Sequence, residues 1–239
     1  MNLQSPKKFK MMVDQAHEVA LNVLRPISRK YDKAEHAYPK ELDMLASLID
    51  GMNEGGEVIN AGAAVGKRGE TETGNKNGNN MSTALGIIEM CYGDTGLLLS
   101  MPRQGLGNSA IAAVANDEQL ERFKGTWAAM AITEPGCGSD SAAIRTTATQ
   151  DGDEYILNGE KIFVTSGDRA DSVVVWATLD KKLGRAAIKS FVVPKGTAGM
   201  KVERLEHKLG IKASDTAVIS FIDCRVPAAN LLGNPEIDV

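Results

Sequence analysis

The sequence predicts an α+β protein of two domains: a helical N-terminal domain over residues 1–125 and a small antiparallel β-barrel domain over residues 126–239. Three observations support this class. In the first half, apolar residues recur every three or four positions, which is the period of an amphipathic helix. In the second half, short β-branched runs alternate with turn residues, as in a sheet of short strands. A length of 239 residues accommodates one large domain or two small ones.

The helical pattern begins at Phe9 and continues to Ile27, and we expect a kink or a break where Pro26 lies inside it. A second helix fits the segment that starts at Pro39 and stops before Gly51, because proline is favoured in a first turn and glycine just past a helix end. The helices expected after the first one span residues 39–50, 81–92, 95–101, 107–116 and 118–123.

Residues 51–80 interrupt the helices with eight of the 24 glycines of the chain and six asparagines. A stretch of this composition buries little apolar surface, so we expect a long loop. Two interpretations stay open, a lid or binding segment and a solvated insertion.

The second half predicts strands joined by tight turns, including a hairpin around Asp151–Gly152–Asp153 and a further turn at Asn158–Gly159. Several short strands of this kind favour a small antiparallel barrel or sandwich. The expected strands span residues 127–132, 144–150, 154–157, 161–165, 172–179, 188–193 and 216–223.

Composition excludes several classes of protein. A 43% hydrophobic content with a net charge of -4 excludes a disordered chain, which is poor in apolar residues and strongly charged. A pI near 5.5 argues against a dedicated nucleic-acid binder. The sequence has no apolar run long enough for a membrane-spanning helix and no signal-peptide pattern at its start, so we expect no membrane association and a cytoplasmic protein.

Cysteine and histidine spacing predicts neither a disulfide framework nor a metal site. The cysteines are odd in number and form no C-x-x-C pair, and the histidines are far apart in sequence. We expect Cys91 and Cys224 to be small buried side chains. The residues concerned are Cys91, Cys137, Cys224, His17, His36 and His207.

Two glycine patterns resemble phosphate-binding motifs but lack the residues or the preceding strand that those motifs require. Residues 105–110 match the G-x-G-x-x-A dinucleotide pattern, but no strand precedes them, and the motif needs one. Residues 62–68 resemble a phosphate loop but have one residue too few between the glycines and Arg68 where Ser or Thr would hold magnesium. We expect neither pattern to bind a nucleotide.

The glycine-rich segment after the strand 127–132 is more informative. Thr133 is followed by a Pro135–Gly136 turn and then by Gly138 and Ser139. Such a loop exposes successive backbone N–H groups that form a cup for an anionic group, and the hydroxyls add further donors. From the residues alone, this ligand-binding interpretation and a simple strand-end turn are equally open.

Three segments of the chain resemble the acyl-CoA dehydrogenase family. The run Ile132-Thr-Glu-Pro-Gly-Cys-Gly-Ser-Asp140 is similar to the family signature. The segments 153–167 and 209–233 match it further, in order and at family spacing, and the similarity covers most of residues 15–235. The resemblance implies a helical domain and a β domain that bind FAD where they meet.

The resemblance also implies roles for individual residues. Thr165 would donate a hydrogen bond to flavin N5, Phe163 would pack on the ring, and Ile132 with Thr133 would reach its pyrimidine edge. Ser139 would contact the pyrophosphate and lie near the acyl-CoA substrate. The full set of cofactor-binding residues implied is Met130, Ala131, Ile132, Thr133, Gly138, Ser139, Phe163, Val164 and Thr165.

The chain departs from the family pattern at two of these positions and in one segment. The family commonly has Trp where this chain has Phe163, and often an aromatic residue in place of Met130. The insertion 51–80 is not family-like, so the resemblance leaves the acyl group unspecified.

The implied reaction is α,β-dehydrogenation of a fatty acyl-CoA, with electrons passed to an electron-transfer flavoprotein. In the family, the base is a glutamate of a further C-terminal helical domain that also mediates oligomerisation, and we expect this domain to be absent and this chain alone to be inactive. Glu134, Glu89 and Asp94 are expected to have structural roles instead. Two alternatives stay open: an acyl-CoA oxidase or flavin monooxygenase of the same fold, and a non-catalytic acyl-CoA- or partner-binding subunit.

Overall fold

The structure is a computed structural model that describes residues 7–54, 79–103 and 105–233. Contacts within the chain divide it into two compact units. The first unit comprises residues 1–104 and 207–214, and the second comprises residues 105–206 and 215–239. The division therefore lies at residues 104 and 105 rather than near residue 125, and the segment 207–214 returns to the helical unit.

The first unit is helical. Its first long helix contains a π-helical turn, Ala20–Leu24, which ends two residues before Pro26. Proline lacks an N–H and its ring clashes with the carbonyl four residues earlier, so the wider π turn accommodates it without ending the helix. The expected disruption near Pro26 is therefore a π turn, and the helix does not break there. The helices are α1 Lys10–Val19, α2 Arg25–Lys33, α3 Glu41–Glu54 and α4 Asn79–Leu99, with a short 3-10 turn at Lys7–Phe9.

Helix α4 merges the two helices expected at 81–92 and 95–101, and it kinks at Asp94, whose backbone is extended. The Asp94 carboxylate accepts a hydrogen bond of 2.8 Å from the amide of Leu97, as a cap does. Just before the kink, a Cβ on Gly93 would lie 2.8 Å from the carbonyl oxygen of Ala20. Glycine is therefore required for the close approach of α4 to the π turn.

One apolar core holds the helical unit together, and the segment 207–214 contributes to it through Ala213. The hydroxyl of Ser100 donates a hydrogen bond of 3.0 Å to the carbonyl of Ala213. Among the described residues, no helix is long and apolar enough to cross a bilayer. The buried core residues are Leu24, Tyr31, Leu42, Leu45, Ala46, Ile49, Met90, Leu97, Leu98, Met101 and Ala213.

The second unit is a seven-stranded sheet with two short helices packed on it. Helix α5, Leu106–Val114, approaches the first strand so closely that a Cβ on Gly107 would lie 2.3 Å from the carbonyl oxygen of Ala129. The glycine pattern at 105–110 thus serves helix–strand packing. The remaining elements are α6 Asp117–Arg122, β1 Ala128–Ala131, β2 Thr147–Asp151, β3 Glu154–Thr165, β4 Ser172–Thr178, β5 Ile188–Pro194, β6 Met200–Leu205 and β7 Thr216–Pro227, with 3-10 turns at Ser141–Ala143, Lys181–Ala187 and Ala228–Asn230.

The sheet is a curled mixed sheet, so the prediction of an antiparallel barrel is wrong in detail. Its order is β1-β4-β2-β3-β7-β6, with β5 pairing β4. Strand β4 runs parallel to both β1 and β2, whereas the other pairs are antiparallel. The ladders of the described strands do not join β1 to β6. Alternation along a strand shows which side chains face the core but not the direction of the neighbouring strand, and the sequence therefore could not distinguish these arrangements.

The turn expected at Asn158–Gly159 is also wrong, because β3 continues through it. The register against β7 shifts between Leu157 and Gly159, as in a β-bulge. Gly159 has a φ of +155° and lies against Thr146, where a Cβ would come within 2.4 Å of the Thr146 hydroxyl oxygen. Glycine is needed at position 159 because the strand is irregular there and because Thr146 lies so close, and not because the chain turns.

Candidate functional site

Two segments of the second unit meet at the carboxyl ends of β1 and β3. The amide of Ile162 donates a hydrogen bond of 2.9 Å to the carbonyl of Thr133, which joins β3 to the loop after β1. The ammonium of Lys161 donates a second bond of 3.0 Å to the carbonyl of Ile132. These two hydrogen bonds hold the loop after β1 against the end of β3, so the residues named from the resemblance lie on adjoining segments.

The carboxylate of Glu134 fixes this loop from inside the protein. It accepts bonds of 2.6 Å from the amide of Arg145, 2.9 Å from the amide of Thr146 and 2.6 Å from the Thr146 hydroxyl. It also accepts a bond of 2.8 Å from Lys161. Across the turn, backbone bonds join Glu134 and Cys137 in both directions. The expectation of a structural role for Glu134 agrees with this geometry.

Glu134 and Lys161 form a buried ion pair with exposed fractions of 6% and 0%. Burial favours the neutral acid, but the hydrogen bonds from Lys161 and Thr146 outweigh this effect and hold the pKa of Glu134 below its usual range. Burial lowers the pKa of Lys161, against the attraction of Glu134. The pair is satisfied within the protein, so its carboxylate is not available to remove a substrate proton.

Phe163 has an unusual backbone and an exposed ring. Its φ is +58°, at the register shift between Lys161 and Val164. An aromatic residue in the left-handed region costs on the order of 1–3 kcal/mol and is uncommon outside functional sites. The shift leaves Phe163 60% exposed, while Val164 is 1% exposed and packs in the core. The bulge therefore presents an aromatic face to whatever binds at the site.

Three hydroxyl groups at the site are available to a ligand. Thr133 and Thr165 are half-buried and Ser139 is exposed. None of the three side chains forms a hydrogen bond with another residue in the part of the chain that the structure describes. Hydroxyls both donate and accept hydrogen bonds, so together they can bind the polar edge of a ring and an anionic group.

The other residues implied by the resemblance differ in what they can offer. Met130 and Ile132 are half-buried and Gly138 is exposed, so each has atoms that a ligand can reach. The side chains of Ala131 and Val164 are buried in the core of the sheet. Only the main chain of these two residues is left for a ligand.

Sequence reasoning missed a second buried ion pair that supports the turn after β3. Arg169 Nε lies 3.3 Å from Asp215 Oδ1, and both side chains are buried. Asp215 also accepts a hydrogen bond of 3.1 Å from the amide of Asp168, and its carbonyl accepts one of 3.2 Å from Ser166. Burial raises the pKa of Asp215, although Arg169 opposes this. Both residues lie in polar loop segments outside the strands, so no periodic pattern in the sequence indicated that they pair.

The chain is similar to known proteins over the segments described above. Residues 129–224 match the family model described as acyl-CoA dehydrogenase, middle domain. The chain is 32% identical over 247 residues to the acryloyl-CoA reductase (NADH) of Anaerotignum propionicum, covering 98% of this chain and 58% of the relative. Both signals include the loop after β1 and strand β3.

Two solved structures are similar over nearly the whole chain. A chain of the electron transferring flavoprotein structure of Acidaminococcus fermentans matches with a TM-score of 0.72 and 32% identity, over 98% of this chain and 60% of that one. The butyryl-CoA dehydrogenase of Megasphaera elsdenii matches with a TM-score of 0.78 and 28% identity, with the same coverage. The chain thus spans about 60% of the length of the proteins it matches.

Proposed function

Because the chain belongs to the acyl-CoA dehydrogenase family, we propose that it supplies the FAD-binding part of an oxidoreductase acting on acyl-CoA thioesters. The observation that carries this proposal is the end of β3. There, a strained bulge exposes the ring of Phe163, and the hydroxyl of Thr165 follows two residues later without a partner among the described residues. An exposed aromatic face beside a free donor suits a flat heteroaromatic ring.

The donor set at the site fits FAD. Phe163 would pack on the isoalloxazine ring, and the Thr165 hydroxyl would donate to flavin N5. The hydroxyl of Thr133 and the backbone at Ile132 would hold the pyrimidine edge, while Ser139 and the exposed loop amides would bind the pyrophosphate. Each neutral hydrogen bond of this kind contributes about 1 kcal/mol net. Phe163 in place of Trp offers less stacking area, so we expect weaker flavin binding than in a relative with Trp.

The proposed reaction is dehydrogenation of the Cα–Cβ bond. A proton would leave Cα and a hydride would leave Cβ, and FAD, when bound, would supply the two-electron acceptor for that hydride. The chain's own residues would hold the ring and exclude water from one side of it, and Ser139 would lie near the acyl-CoA. Proton removal needs a free carboxylate whose pKa is raised by burial.

Glu134 does not meet that need, because its carboxylate is already bound by Lys161, Thr146 and the amide of Arg145. We therefore propose that residues 1–239 bind FAD but do not turn over an acyl-CoA by themselves. We propose an electron-transfer flavoprotein as the acceptor in the complete enzyme.

The test is FAD binding and reduction by the 239-residue chain. Equilibrium dialysis should give one FAD per chain, and anaerobic addition of butyryl-CoA should leave the absorbance of the bound flavin near 450 nm unchanged. Absence of FAD binding would contradict the cofactor assignment. Bleaching by butyryl-CoA would contradict the proposal that residues 1–239 do not turn over an acyl-CoA by themselves. Rapid reoxidation of the bleached flavin in air would then favour an oxidase over a dehydrogenase.

A further inference from the structure

Three potential metal ligands come together in the helical unit. Glu35 and His36 follow the end of α2, and His207 begins the segment 207–214 that belongs to the same unit. Glu35 and His207 are 172 positions apart in the sequence, so the cluster could not be predicted from residue spacing. The sequence spacing of the histidines therefore gave no indication that His36 and His207 lie side by side, with ring centroids 5.3 Å apart.

The geometry approaches that of a metal site. Nδ1 of His207 lies 3.1 Å from Oε2 of Glu35. One ligand atom from each of Glu35, His36 and His207 lies within 4.8 Å of the other two. In a tetrahedral zinc site with bonds of about 2.0–2.2 Å, ligand atoms are about 3.3 Å apart. The first pair is already at that separation, and the ring nitrogen of His36 lies within 4.8 Å of both atoms.

His36 provides the second, independent observation. Both of its ring nitrogens are buried, and neither has a hydrogen-bond partner in the described part of the chain. A buried polar atom without a partner costs free energy, so each such case calls for an explanation. The ring lies against His207, with centroids 5.3 Å apart. A metal ion shared with His207 would give one of these nitrogens a partner.

The surroundings suit the role of Glu35 as a ligand. Its Oε1 accepts a hydrogen bond of 3.0 Å from the amide of Lys208, which orients the carboxylate as the outer shell of metal sites does. The positive charge of Lys212 acts on the same carboxylate and opposes a cation. His207 is 84% exposed, which gives an ion a route to the site.

We propose that Glu35, His36 and His207 bind one divalent transition-metal ion, for which Zn²⁺ is the best match. Two imidazole nitrogens and one carboxylate oxygen are ligands that Zn²⁺ takes readily, with a fourth position open to water. The bound ion would tie the segment 207–214 to the end of α2. This proposal does not depend on the FAD site.

The test is a titration of the untagged chain with ZnCl₂ by isothermal calorimetry. We expect one ion per chain, and at least tenfold weaker binding in each of the variants His207→Gln and His36→Gln. The matched control is His17→Gln. His17 also pairs with a carboxylate, that of Glu89 at 2.8 Å, but it has no second histidine beside it among the described residues, so its loss should leave the affinity unchanged.

Two further measurements keep the outcome clear. Zn²⁺ should raise the melting temperature of the wild type and of His17→Gln but not that of His207→Gln, which should fold because its side chain is exposed. Co²⁺ should give visible absorption bands typical of nitrogen and oxygen ligands. Unchanged affinity in both variants, or loss of binding after alkylation of the cysteines, would overturn the proposal.

Discussion

The ammonium of Lys161 lies 2.8 Å from the carboxylate of Glu134, and neither side chain is more than 6% exposed. This pair joins the end of β3 to the loop after β1, the two segments that carry the candidate flavin-binding residues. Lys161 also bonds the carbonyl of Ile132, so one ammonium fixes both the loop side chain and the loop backbone. The local geometry of the site therefore rests on a buried charge pair rather than on apolar packing alone.

Removing one partner of this pair should be more damaging than removing both. Glu134→Gln leaves the Lys161 charge buried without a counter-ion and should cost about 3–5 kcal/mol of unfolding free energy. The double variant Glu134→Gln, Lys161→Met removes the stranded charge and should recover part of that loss. Urea unfolding of the wild type, both single variants and the double variant measures the coupling. Additive effects of the two single changes would contradict a direct interaction.

The strained backbone of Phe163 gives a prediction that separates stability from binding. Phe163→Ala removes an exposed ring but keeps the positive φ, so stability should change little while FAD binds more weakly. Phe163→Gly removes the ring and also the strain, so it should be more stable than Phe163→Ala. Thermal melting and FAD titration of the two variants test this. Equal flavin affinity in Phe163→Ala and the wild type would refute a role for the ring.

Gly107 should be intolerant of any side chain. Its Cβ would meet the carbonyl oxygens of Ala129 and Ala128 at 2.3 and 2.4 Å, and these are backbone atoms of a buried strand. Gly107→Ala should therefore cost about 1–3 kcal/mol, as overpacking does. Gly136→Ala is the matched control, because a Cβ there meets nothing within 4 Å. Similar unfolding midpoints for the two variants would show that α5 shifts freely on the sheet.

Acid should weaken the helical unit through Glu41. Hydrogen bonds from Lys30 and from Tyr31 lower the pKa of Glu41 to about 2, from an ordinary value of 4.5. A carboxylate whose pKa is depressed in the folded state contributes stability above its unfolded pKa and loses it as the pH falls. The stability difference between the wild type and Glu41→Gln should thus be constant above about pH 5.5 and shrink towards pH 2. Unfolding at pH 3 and pH 7 measures it, and a difference independent of pH would contradict the assignment.

Local patterns predicted most elements of the fold, because amphipathic periods depend on near neighbours in the sequence. Helix α3 and strands β4 and β5 lie close to their expected positions. The parallel pairing of β1 with β4 and the return of residues 207–214 to the helical unit depend on contacts between distant residues, which no period encodes. For the same reason, the sequence did not predict the ion pair of Glu134 with Lys161 or the contact of His36 with His207. The candidate flavin site was reached only by resemblance, since its glycine-rich loop alone fits a plain turn equally well.

The most direct test of the central claim, that FAD binds where β3 meets the loop after β1, is a fluorescence titration of FAD with three forms of the chain. The wild type should quench the flavin with a saturable 1:1 curve, and Thr165→Ala should bind at least fivefold more weakly, about 1 kcal/mol. Thr149→Ala removes an exposed threonine from β2 and should match the wild type. Equal FAD affinity for Thr165→Ala and the wild type would contradict the claim.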